Sequence, residues 1–473
     1  MSGIRIARRD VFWTYANLVL SSGVNLLLLP LILWALTPDE VGQWYVYSAL
    51  GGLSLVLDFG LSATLSRHVT FAWCGVSTIE KQGYTDQQLD GQPNYPLLRS
   101  LVAATKWAYH LVGATALLLA ATVGTLHVQH AVHAGSIVDK QLTSWWVYVA
   151  AIWINTSMAY WNPLLRGVGA VAETGQANVA GKIAQLLFTS AALVAGFGLL
   201  GVSVSYLAST FVFRWMSKRY FRRRSGLLHE SRDEEGAYSR SALLRTIWPN
   251  AARQGVVSLS QYVMTWSPVL ISSGFLGLRQ AATVGLTVQI LGIIKVFGNA
   301  LFNAFLPQFS SLRLTGDLDR LRARVALVLG SATYSILGLG TLALVVGPPG
   351  LHLLGTDVRL MPLAYGLCFF LSEWAVNQYA LVSGYLGTAN RVPMHKAYFI
   401  TALVGTAGQF LAVSRLGWGL WGVIVPPLLA SLVYNDWIWF RRAATDLRTT
   451  SLGLLGRSLT EPYVFVATRI GVK

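Results

Sequence analysis

The sequence predicts an all-α integral membrane protein with twelve transmembrane helices in two six-helix bundles. Three observations support this fold class. Apolar residues make up 54% of the 473-residue chain and charged residues only 12%, about half of the charged fraction in a soluble domain. Apolar runs of about 20 residues, long enough to cross a bilayer as a helix, recur along the whole chain. Short motifs of the first half also recur in the second half.

The predicted spans follow the apolar runs in order. In the first half they cover residues 11–36, 41–65, 101–126, 145–165, 183–200 and 201–216, with a turn at Gly201 between the last two. In the second half they cover residues 247–271, 281–306, 325–346, 361–386, 397–413 and 419–440. The chain therefore divides into an N-terminal bundle (1–217), a basic cytoplasmic linker (218–245), a C-terminal bundle (246–440) and a cytoplasmic or interfacial tail (441–473).

The basic residues set the predicted orientation. The chain carries 36 Lys and Arg and a formal net charge of +16. With the N-terminus in the cytoplasm, 29 of these residues are grouped with the inside segments, including Arg214 at the inner end of the sixth span. Three lie deeper within spans, and four lie outside: Lys140, Arg279, Arg359 and Arg415. Cytoplasmic segments of membrane proteins are enriched in Lys and Arg and lie against anionic lipids. We therefore expect both termini inside, and membrane lipids rather than nucleic acid as the partner of the positive charge.

Two short motifs indicate that the halves are copies of one unit. The sequence GLLGV at 198–202 recurs as GLWGV at 419–423, 221 residues later. The sequence LAS at 207–209 recurs at 429–431, 222 residues later. Because each half has an even number of predicted spans, the copies share one orientation. The expected pseudo-two-fold axis then runs along the membrane normal, as in transporters built from two parallel repeats.

Several motifs along the chain are similar to those of a known superfamily. They are Asn17, Asn25 and Pro30 in the first span, TPDEVGQW at 37–44, LDFGL at 57–61, GDLD at 316–319, and the two GLxGV turns. In this order they resemble Wzx-type polysaccharide (O-antigen or exopolysaccharide) flippases of the multidrug/oligosaccharidyl-lipid/polysaccharide (MOP) exporter superfamily. The resemblance covers about residues 8–440. The inside segment 67–99 is longer than this family leads us to expect, and we assign it no role.

The resemblance implies a function, a location and partners. It implies two bundles of the MATE/MOP type around a cavity, in the inner membrane of a bacterium. It implies a transporter, not an enzyme, that moves an undecaprenyl-diphosphate-linked oligosaccharide from the inner to the outer leaflet by alternating access. Polysaccharide polymerase machinery is a candidate partner. We expect no catalytic residue, no cofactor and no metal, since Cys74 and Cys368 lie in no metal-binding spacing.

Charged residues within the predicted spans are candidates for a binding site, because a charge in the bilayer core is costly. Arg253 and Lys295 are candidates for binding the diphosphate, since guanidinium and ammonium groups both suit phosphate. The alternative is that they form ion pairs that hold helices together. Carboxamides in the spans suit sugar hydroxyls, or they bond neighbouring helices. Those predicted for the substrate are Asn17, Asn25, Asn250 and Gln254.

Two acidic residues within the spans are candidates for ion coupling. Glu373 lies near the middle of the tenth span, and Asp58 lies in the inner third of the second. A carboxyl group in a poorly hydrated site can take up a proton or bind a cation, so either residue could couple transport to H⁺ or Na⁺. The alternative is a structural role in an ion pair or a hydrogen bond.

Three other functions fit parts of the sequence. A MATE-like drug/cation antiporter of the same superfamily would need acidic rather than basic residues in its site. A lipid II flippase usually carries two further spans beyond the twelve predicted. A polyprenyl-phosphate-sugar glycosyltransferase is the least favoured. Asp39 and Glu40 form an acidic pair in the first outside loop, but that loop is about four residues long and leaves no room for an external catalytic domain.

Overall fold

The structure is a computed structural model of the chain. It describes residues 8–58, 61–76, 92–132, 138–225, 240–315, 317–388 and 394–470. Every regular element within these ranges is a helix. The chain forms two compact units. Residues 1–40 and 46–259 make up the N-terminal unit, and residues 41–45 and 260–473 make up the C-terminal unit.

The helices are numbered α1 to α18 in chain order. In the first half they are α1 (Arg8–Ala35), α2 (Pro38–Val56), α3 (Leu61–Trp73), α4 (Tyr95–Leu119), α5 (Thr125–Val132), α6 (Val138–Ser157), α7 (Trp161–Gly167), α8 (Val171–Val194) and α9 (Gly198–Ser225). In the second half they are α10 (Arg240–Phe275), α11 (Leu278–Gly298), α12 (Ala300–Thr315), α13 (Leu318–Thr333), α14 (Gly340–Leu353), α15 (Leu363–Gly387), α16 (His395–Ser414), α17 (Leu420–Asp446) and α18 (Ser451–Ile470).

Seven helical runs within the described ranges are long and apolar enough to cross a membrane. Large apolar side chains also remain exposed on the helices, among them Trp34, Leu118, Leu187 and Leu342. Lipid tails are as apolar as leucine, so exposed leucines are expected on a surface that faces lipid. The chain is therefore a multi-pass membrane protein, and the all-helical membrane fold class predicted from composition is confirmed.

Three predicted spans are interrupted rather than continuous. The second divides into α2 and α3 after Val56, the fourth into α6 and α7 at residues 158–160, and the eighth into α11 and α12 at Asn299. Within a membrane, such interruptions are tolerated only where the backbone is buried in protein or lines a cavity. The interruptions therefore indicate where a polar cavity can form.

Pro163 explains the interruption of the fourth span. Proline has no N–H to donate to the carbonyl four residues earlier, and its ring clashes with that carbonyl in a continuous helix. The carbonyl concerned is that of Ala159, which instead accepts a hydrogen bond from the Asn162 N–H at 3.0 Å. The chain therefore turns before α7 begins.

A π-helical turn lies in the third helical run of each half. Residues Ala120–Gly124 join α4 to α5, and residues Tyr334–Leu339 join α13 to α14. Beside the first turn, the Trp145 indole donates to Thr125 Oγ1 at 2.9 Å. Beside the second, the Trp374 indole donates to Thr333 Oγ1 at 3.0 Å. In each half a tryptophan of the next helix thus supports a backbone irregularity of a kind frequent at functional sites.

The fifth and sixth predicted spans form a helical hairpin. Its turn lies at Gly196 and Gly198, with φ of 78° and 55°, and not at Gly201 as the sequence analysis predicts. Glycine adopts this left-handed region at no steric cost, whereas Gly201 lies inside α9. Gly417 and Gly419, with φ of 65° and 54°, form the corresponding turn between α16 and α17. The motif repeated at an offset of 221 residues therefore corresponds to a repeated turn.

The tail forms α18, which packs against α13. The hydroxyl of Tyr334 donates to the Leu459 carbonyl at 2.8 Å. Leu452 and Tyr463 remain 82% and 65% exposed, so α18 keeps an apolar face that suits the predicted interfacial position. Residues 77–91 and 226–239, which belong to the predicted cytoplasmic segments, lie outside the described residues.

Candidate substrate-binding site

Arg214, on α9, is buried in the N-terminal unit with 3% exposure. Its Nη2 and Nε atoms donate to Oδ1 of Asn155 at 2.6 and 3.0 Å, and its Nη1 donates to Oδ1 of Asn162 at 3.4 Å. Asn155 lies on α6 and Asn162 on α7. The guanidinium therefore contacts the helices on both sides of the interruption that Pro163 causes.

The positive charge of Arg214 has no acidic partner in the described part of the chain. The ion pairs found there join other residues, and the hydrogen-bond acceptors of Arg214 are neutral carboxamides. A buried charge without a counter-ion costs several kcal/mol, and charges inside membrane proteins mark functional sites. The environment of Arg214 is therefore receptive to an anionic ligand.

Arg214 lines a polar cavity of ≈310 Å³, which we call the cationic chamber. Its other charged lining residues are Arg166 and Lys182, and no acidic residue is among the described residues that line it. The remaining polar lining consists of carboxamides and hydroxyls: Asn17, Asn155, Asn162, Thr174, Asn178, Gln185, Tyr206, Ser209 and Thr210. The volume is near the lower end of the range for small-molecule sites.

Hydrogen bonds order the lining of the cationic chamber on α8. The Lys182 ammonium donates to Oε1 of Gln185 at 3.0 Å. The carboxamide of Asn178 donates to Oδ1 of Asn17 on α1. Lys182 thus also contacts a neutral acceptor, as Arg214 does. The chamber combines positive charge with groups that can exchange hydrogen bonds with hydroxyls.

A second cavity of ≈190 Å³ adjoins the first, because Arg214 and the two carboxamides that it contacts line both. We call it the acidic chamber, since Asp58 contributes its carboxylate. The Tyr109 hydroxyl donates to Oδ1 of Asp58, and the Ser62 N–H donates to Oδ2 at 3.1 Å. Asp58 therefore caps the start of α3 at the interruption of the second span.

The C-terminal unit holds a different arrangement of polar residues. Lys295 on α11 forms an ion pair with Glu373 on α15, with 2.5 Å between Nζ and Oε2. One helical turn further along both helices, the carboxamides of Asn299 and Asn377 donate to each other at 2.9 Å in both directions. We call these four residues the Lys–Glu ladder. Here the positive charge has a resident counter-ion.

The structure distributes the predicted substrate residues over different environments. Asn17 lines the cationic chamber. Asn25 is exposed on α1, and Arg253 is exposed on α10. Lys295 is paired with Glu373, which is the arrangement that the alternative structural interpretation predicts. The predicted side chains that lie outside the described residues are those of Asn250 and Gln254.

The two predicted coupling residues also differ in environment. Asp58 lines the acidic chamber and is bonded to a hydroxyl and a backbone N–H. Glu373 is buried, with 6% exposure, and is bonded to the Lys295 ammonium. A change of protonation at Asp58 would thus occur beside Arg214, whereas a change at Glu373 would leave the Lys295 charge without its partner.

Hydropathy and motif spacing do not identify the basic residues of the cationic chamber. Hydropathy ends the fourth predicted span at residue 165 and begins the fifth at 183, so Arg166 and Lys182 fall just outside the spans. Arg214 lies within the sixth predicted span, two residues from its inner end, and is grouped with the cytoplasmic basic residues that follow that span. In the structure α8 begins at Val171 and α9 continues to Ser225, which places Lys182 and Arg214 well inside helices.

Comparisons with known proteins show the fold. No protein-family model matches this chain, and no curated protein does. An inward-facing multidrug resistance MATE family transporter of the MOP superfamily is 14% identical, with a TM-score of 0.63, and the match covers 90% of this chain and 96% of that one. The lipid II flippase MurJ, in an inward closed conformation, is 11% identical, with a TM-score of 0.58 and coverage of 97% and 92%.

A third solved structure is that of a MOP superfamily transporter from Pyrococcus furiosus, whose binding pocket has a reverse polarity. It is 15% identical, with a TM-score of 0.57, and the match covers 94% of this chain and 98% of that one. Structural similarity at this low sequence identity shows a shared fold and does not identify the substrate. The chain therefore has the fold of MOP superfamily transporters, as the motifs imply, while the Wzx-type assignment stays a prediction.

Proposed function

We propose that this chain is a flippase for an undecaprenyl-diphosphate-linked oligosaccharide, and that the cationic chamber binds the anionic headgroup. The observation that carries the proposal is Arg214, a buried guanidinium bonded only to neutral acceptors among the described residues. Arg166 and Lys182 add two positive charges to the same chamber. Arginine suits phosphate because its planar donors can bind two oxygens at once.

The sign of the charge favours an anion over the cation of a drug antiporter. Two unit charges 4 Å apart interact by about 4 kcal/mol at an effective dielectric constant of 20. A cation beside Arg214 would be repelled by an energy of this size, and a phosphate would be attracted by it. The carboxylate of Asp58 lies in the adjoining chamber and already accepts two hydrogen bonds.

The neutral lining suits the sugar that follows the diphosphate. A carboxamide offers both a donor and an acceptor, so the Asn and Gln side chains can bond hydroxyls in either sense. A volume of ≈310 Å³ accommodates a diphosphate and part of the glycan, not a complete repeat unit. The remaining sugars extend beyond the chamber, and the prenyl chain stays in lipid.

The predicted topology gives the direction of entry. Arg166, Lys182 and Arg214 all lie near the inner ends of their predicted spans. A headgroup made in the cytoplasm therefore meets the basic residues first, and alternating access releases it to the outer leaflet. Arg253, exposed on α10, is available for a further phosphate contact.

Ion coupling is assigned to Asp58 rather than to Glu373. Asp58 shares its chamber with Arg214, so binding of an anion at Arg214 changes the electrostatic potential at this carboxylate. Glu373 is held by Lys295 at 2.5 Å and serves the C-terminal unit as a counter-ion. H⁺ is the ion that we test, because Asp58 is a titratable group that can carry a proton.

The test is translocation of a labelled undecaprenyl-diphosphate oligosaccharide by purified protein in liposomes. Arg214→Ala should lower the initial rate about 10- to 100-fold, since a hydrogen bond to a charged group contributes ~1.5–3 kcal/mol. Arg214→Lys, which keeps the charge but not the planar donors, should give an intermediate rate. Arg223→Ala removes an exposed charge from the same helix and should keep the wild-type rate.

Other outcomes of the translocation assay would contradict the proposal or indicate a different function. Wild-type translocation by a correctly inserted Arg214→Ala protein would contradict the proposal. Transport of a lipophilic cation, with no translocation of the anionic lipid, would indicate an antiporter. Translocation of lipid II alone would indicate a lipid II flippase, and transfer of the sugar to an acceptor would indicate a glycosyltransferase.

A further inference from the structure

A polar cavity of ≈360 Å³ lies at one end of the C-terminal unit, where α10 turns into α11 and where the segment 354–362 joins α14 to α15. Its lining consists of Arg279, Gln280 and Thr283 of α11 and of Asp357, Val358 and Arg359 of that segment. We call it the outer cavity, because both connections are predicted to lie outside. Among the described residues it shares no lining side chain with the cationic or the acidic chamber.

The local backbone directs an acid and a base into the outer cavity together. Asp357 and Arg359 are exposed, whereas the residue that follows each of them is buried. This alternation is that of an extended chain, in which successive side chains point to opposite sides. The carboxylate and the guanidinium therefore lie on the same side of the segment. The Met361 N–H donates to Thr287 Oγ1 at 3.2 Å and holds the segment against α11.

The charged groups of the outer cavity are available to a ligand. The ion pairs found in the described part of the chain join other residues, so Asp357 forms no ion pair there with Arg279 or Arg359. Only four Lys and Arg of the chain are predicted outside, and two of them line this cavity. Because basic residues are sparse in outside segments, two arginines in one cavity indicate a ligand rather than general surface charge.

Exposed apolar side chains flank the outer cavity at the ends of three helices. Leu353, the last residue of α14, is 87% exposed, and Leu363, the first residue of α15, is 50% exposed. Phe275, the last residue of α10, is exposed as well. Large apolar groups are compatible with a surface that faces lipid tails, which are as apolar as leucine. The charged lining therefore adjoins acyl chains, at the depth of the lipid headgroups.

We propose that the outer cavity binds a phospholipid whose headgroup carries a phosphate and a primary ammonium, as phosphatidylethanolamine does. Arg279 and Arg359 bind the phosphate oxygens, which suit the planar donors of a guanidinium. Asp357 accepts hydrogen bonds from the ammonium, which has N–H groups to donate. The acyl chains lie against the exposed leucines. The inference goes beyond the proposed function, because it concerns a resident lipid and not the transported one.

The experiment compares the binding of phosphatidylethanolamine and phosphatidylcholine with identical acyl chains to the purified protein, by native mass spectrometry. The two headgroups have the same net charge and the same phosphate, but the methylated ammonium of phosphatidylcholine has no N–H to donate. The wild type should bind phosphatidylethanolamine about 5-fold more tightly, which is the effect of a hydrogen bond to a charged group. It should also prefer this lipid to phosphatidylglycerol, which has no cation for Asp357.

Three substitutions at exposed positions separate the contacts of the headgroup. Asp357→Asn should lower the affinity for phosphatidylethanolamine to that for phosphatidylcholine. Arg359→Gln should lower the affinity for both lipids by a similar factor, about 3- to 10-fold, because both carry the phosphate. Arg415→Gln removes another exposed basic residue of the predicted outside and should change neither affinity.

The proposal fails if the wild type binds the two lipids equally, or if its preference persists in Asp357→Asn. It also fails if phosphatidylglycerol binds more tightly than phosphatidylethanolamine, since the cavity would then select negative charge alone. Equally tight binding of glycerophosphoethanolamine, which lacks acyl chains, would assign the cavity to a soluble ligand and contradict a lipid site. None of these outcomes depends on the translocation rate of Arg214→Ala.

Discussion

Two carboxamide oxygens, rather than carboxylates, face the Arg214 guanidinium. Neutral acceptors satisfy the donors of the arginine but leave its net charge in place. A resident carboxylate would satisfy both and would compete with any anionic ligand. Because Asn155 and Asn162 are neutral, the net charge around Arg214 stays positive, which favours a negatively charged ligand. Their hydrogen bonds to the guanidinium limit the free-energy cost of burying the cation.

Asn155→Asp tests this interpretation directly. The carboxylate has the shape of the carboxamide and supplies the missing counter-ion. We expect an unfolding temperature equal to or above the wild-type value, and an affinity for undecaprenyl diphosphate lower by about 10-fold or more. Binding and thermal unfolding are measured on the same preparation. Asn303→Asp, at an exposed position of α12 near the predicted inner end of its span, is the control and should change neither. Unchanged affinity in Asn155→Asp would contradict an electrostatic role for Arg214.

Asp58 and Glu373 can be separated by their response to a proton gradient. Asp58→Asn keeps an acceptor for the Ser62 N–H but removes the titratable proton. Translocation by this variant should no longer depend on an imposed pH gradient. Glu373→Gln should keep the gradient dependence and lose thermal stability, because Lys295 loses its counter-ion. The reverse pattern, measured in the same liposome assay, would assign coupling to Glu373.

Hydropathy predicts which segments form helices better than it predicts whether each helix is continuous. Long apolar runs identify the helices because a membrane-spanning segment needs about 20 apolar residues. The interruptions are not predicted, because hydropathy averaged over a window of residues carries no information on backbone geometry. Pro163 provides a local signal for one of them, through its missing N–H. At Asp58 and Asn299 the described residues contain no proline, and there the interruption depends on capping and packing.

The same limitation explains why the basic residues of the site are missed. A window ends where polar residues begin to outweigh apolar ones, so Lys182 falls just before the fifth predicted span, and Arg214 falls at the inner end of the sixth, where it is grouped with the cytoplasmic basic residues. Both lie within helices that pack against other helices and therefore tolerate polar residues on one side. The polar residues that the sequence analysis does predict in this unit, Asn17 and Asp58, line the two chambers.

Pro163→Ala should restore the fourth span at the expense of the site. Alanine supplies the N–H that the Ala159 carbonyl lacks in a continuous helix, and it has the highest helix propensity. We expect thermal stability to be kept or raised, since proline inside a helix costs about 3 kcal/mol. Translocation should fall several-fold, because straightening the chain moves Asn162 away from Arg214. A variant that is more stable and equally active would show that the interruption is not needed for transport.

At the scale of the whole molecule, the predicted orientation rests on the distribution of basic residues. It can be tested with single cysteines in a background where Cys74 and Cys368 are replaced by Ser. Arg279→Cys, in a predicted outside loop, should react with a membrane-impermeant maleimide in intact cells. Arg223→Cys should react only after permeabilisation. Both positions are exposed, so equal labelling in intact cells would contradict the topology.

The two halves share backbone features but not charge. Each has a glycine turn, between α8 and α9 or between α16 and α17, and a tryptophan beside a π-helical turn. In the N-terminal unit the hydrogen-bond acceptors of the buried arginine are neutral carboxamides among the described residues, whereas in the C-terminal unit the lysine is paired with a carboxylate. A shared framework thus supports two different electrostatic environments.

This asymmetry has a pharmacological consequence. If the cationic chamber binds a diphosphate as proposed, a phosphonate designed to imitate that group would be drawn to the half in which Arg214 is bonded to neutral carboxamides, and would gain little from the half in which Lys295 is paired with Glu373. Resistance would then arise through any substitution that brings an acid beside Arg214, and the same change would weaken recognition of the natural lipid. An inhibitor directed at this residue would therefore be difficult to escape without loss of transport.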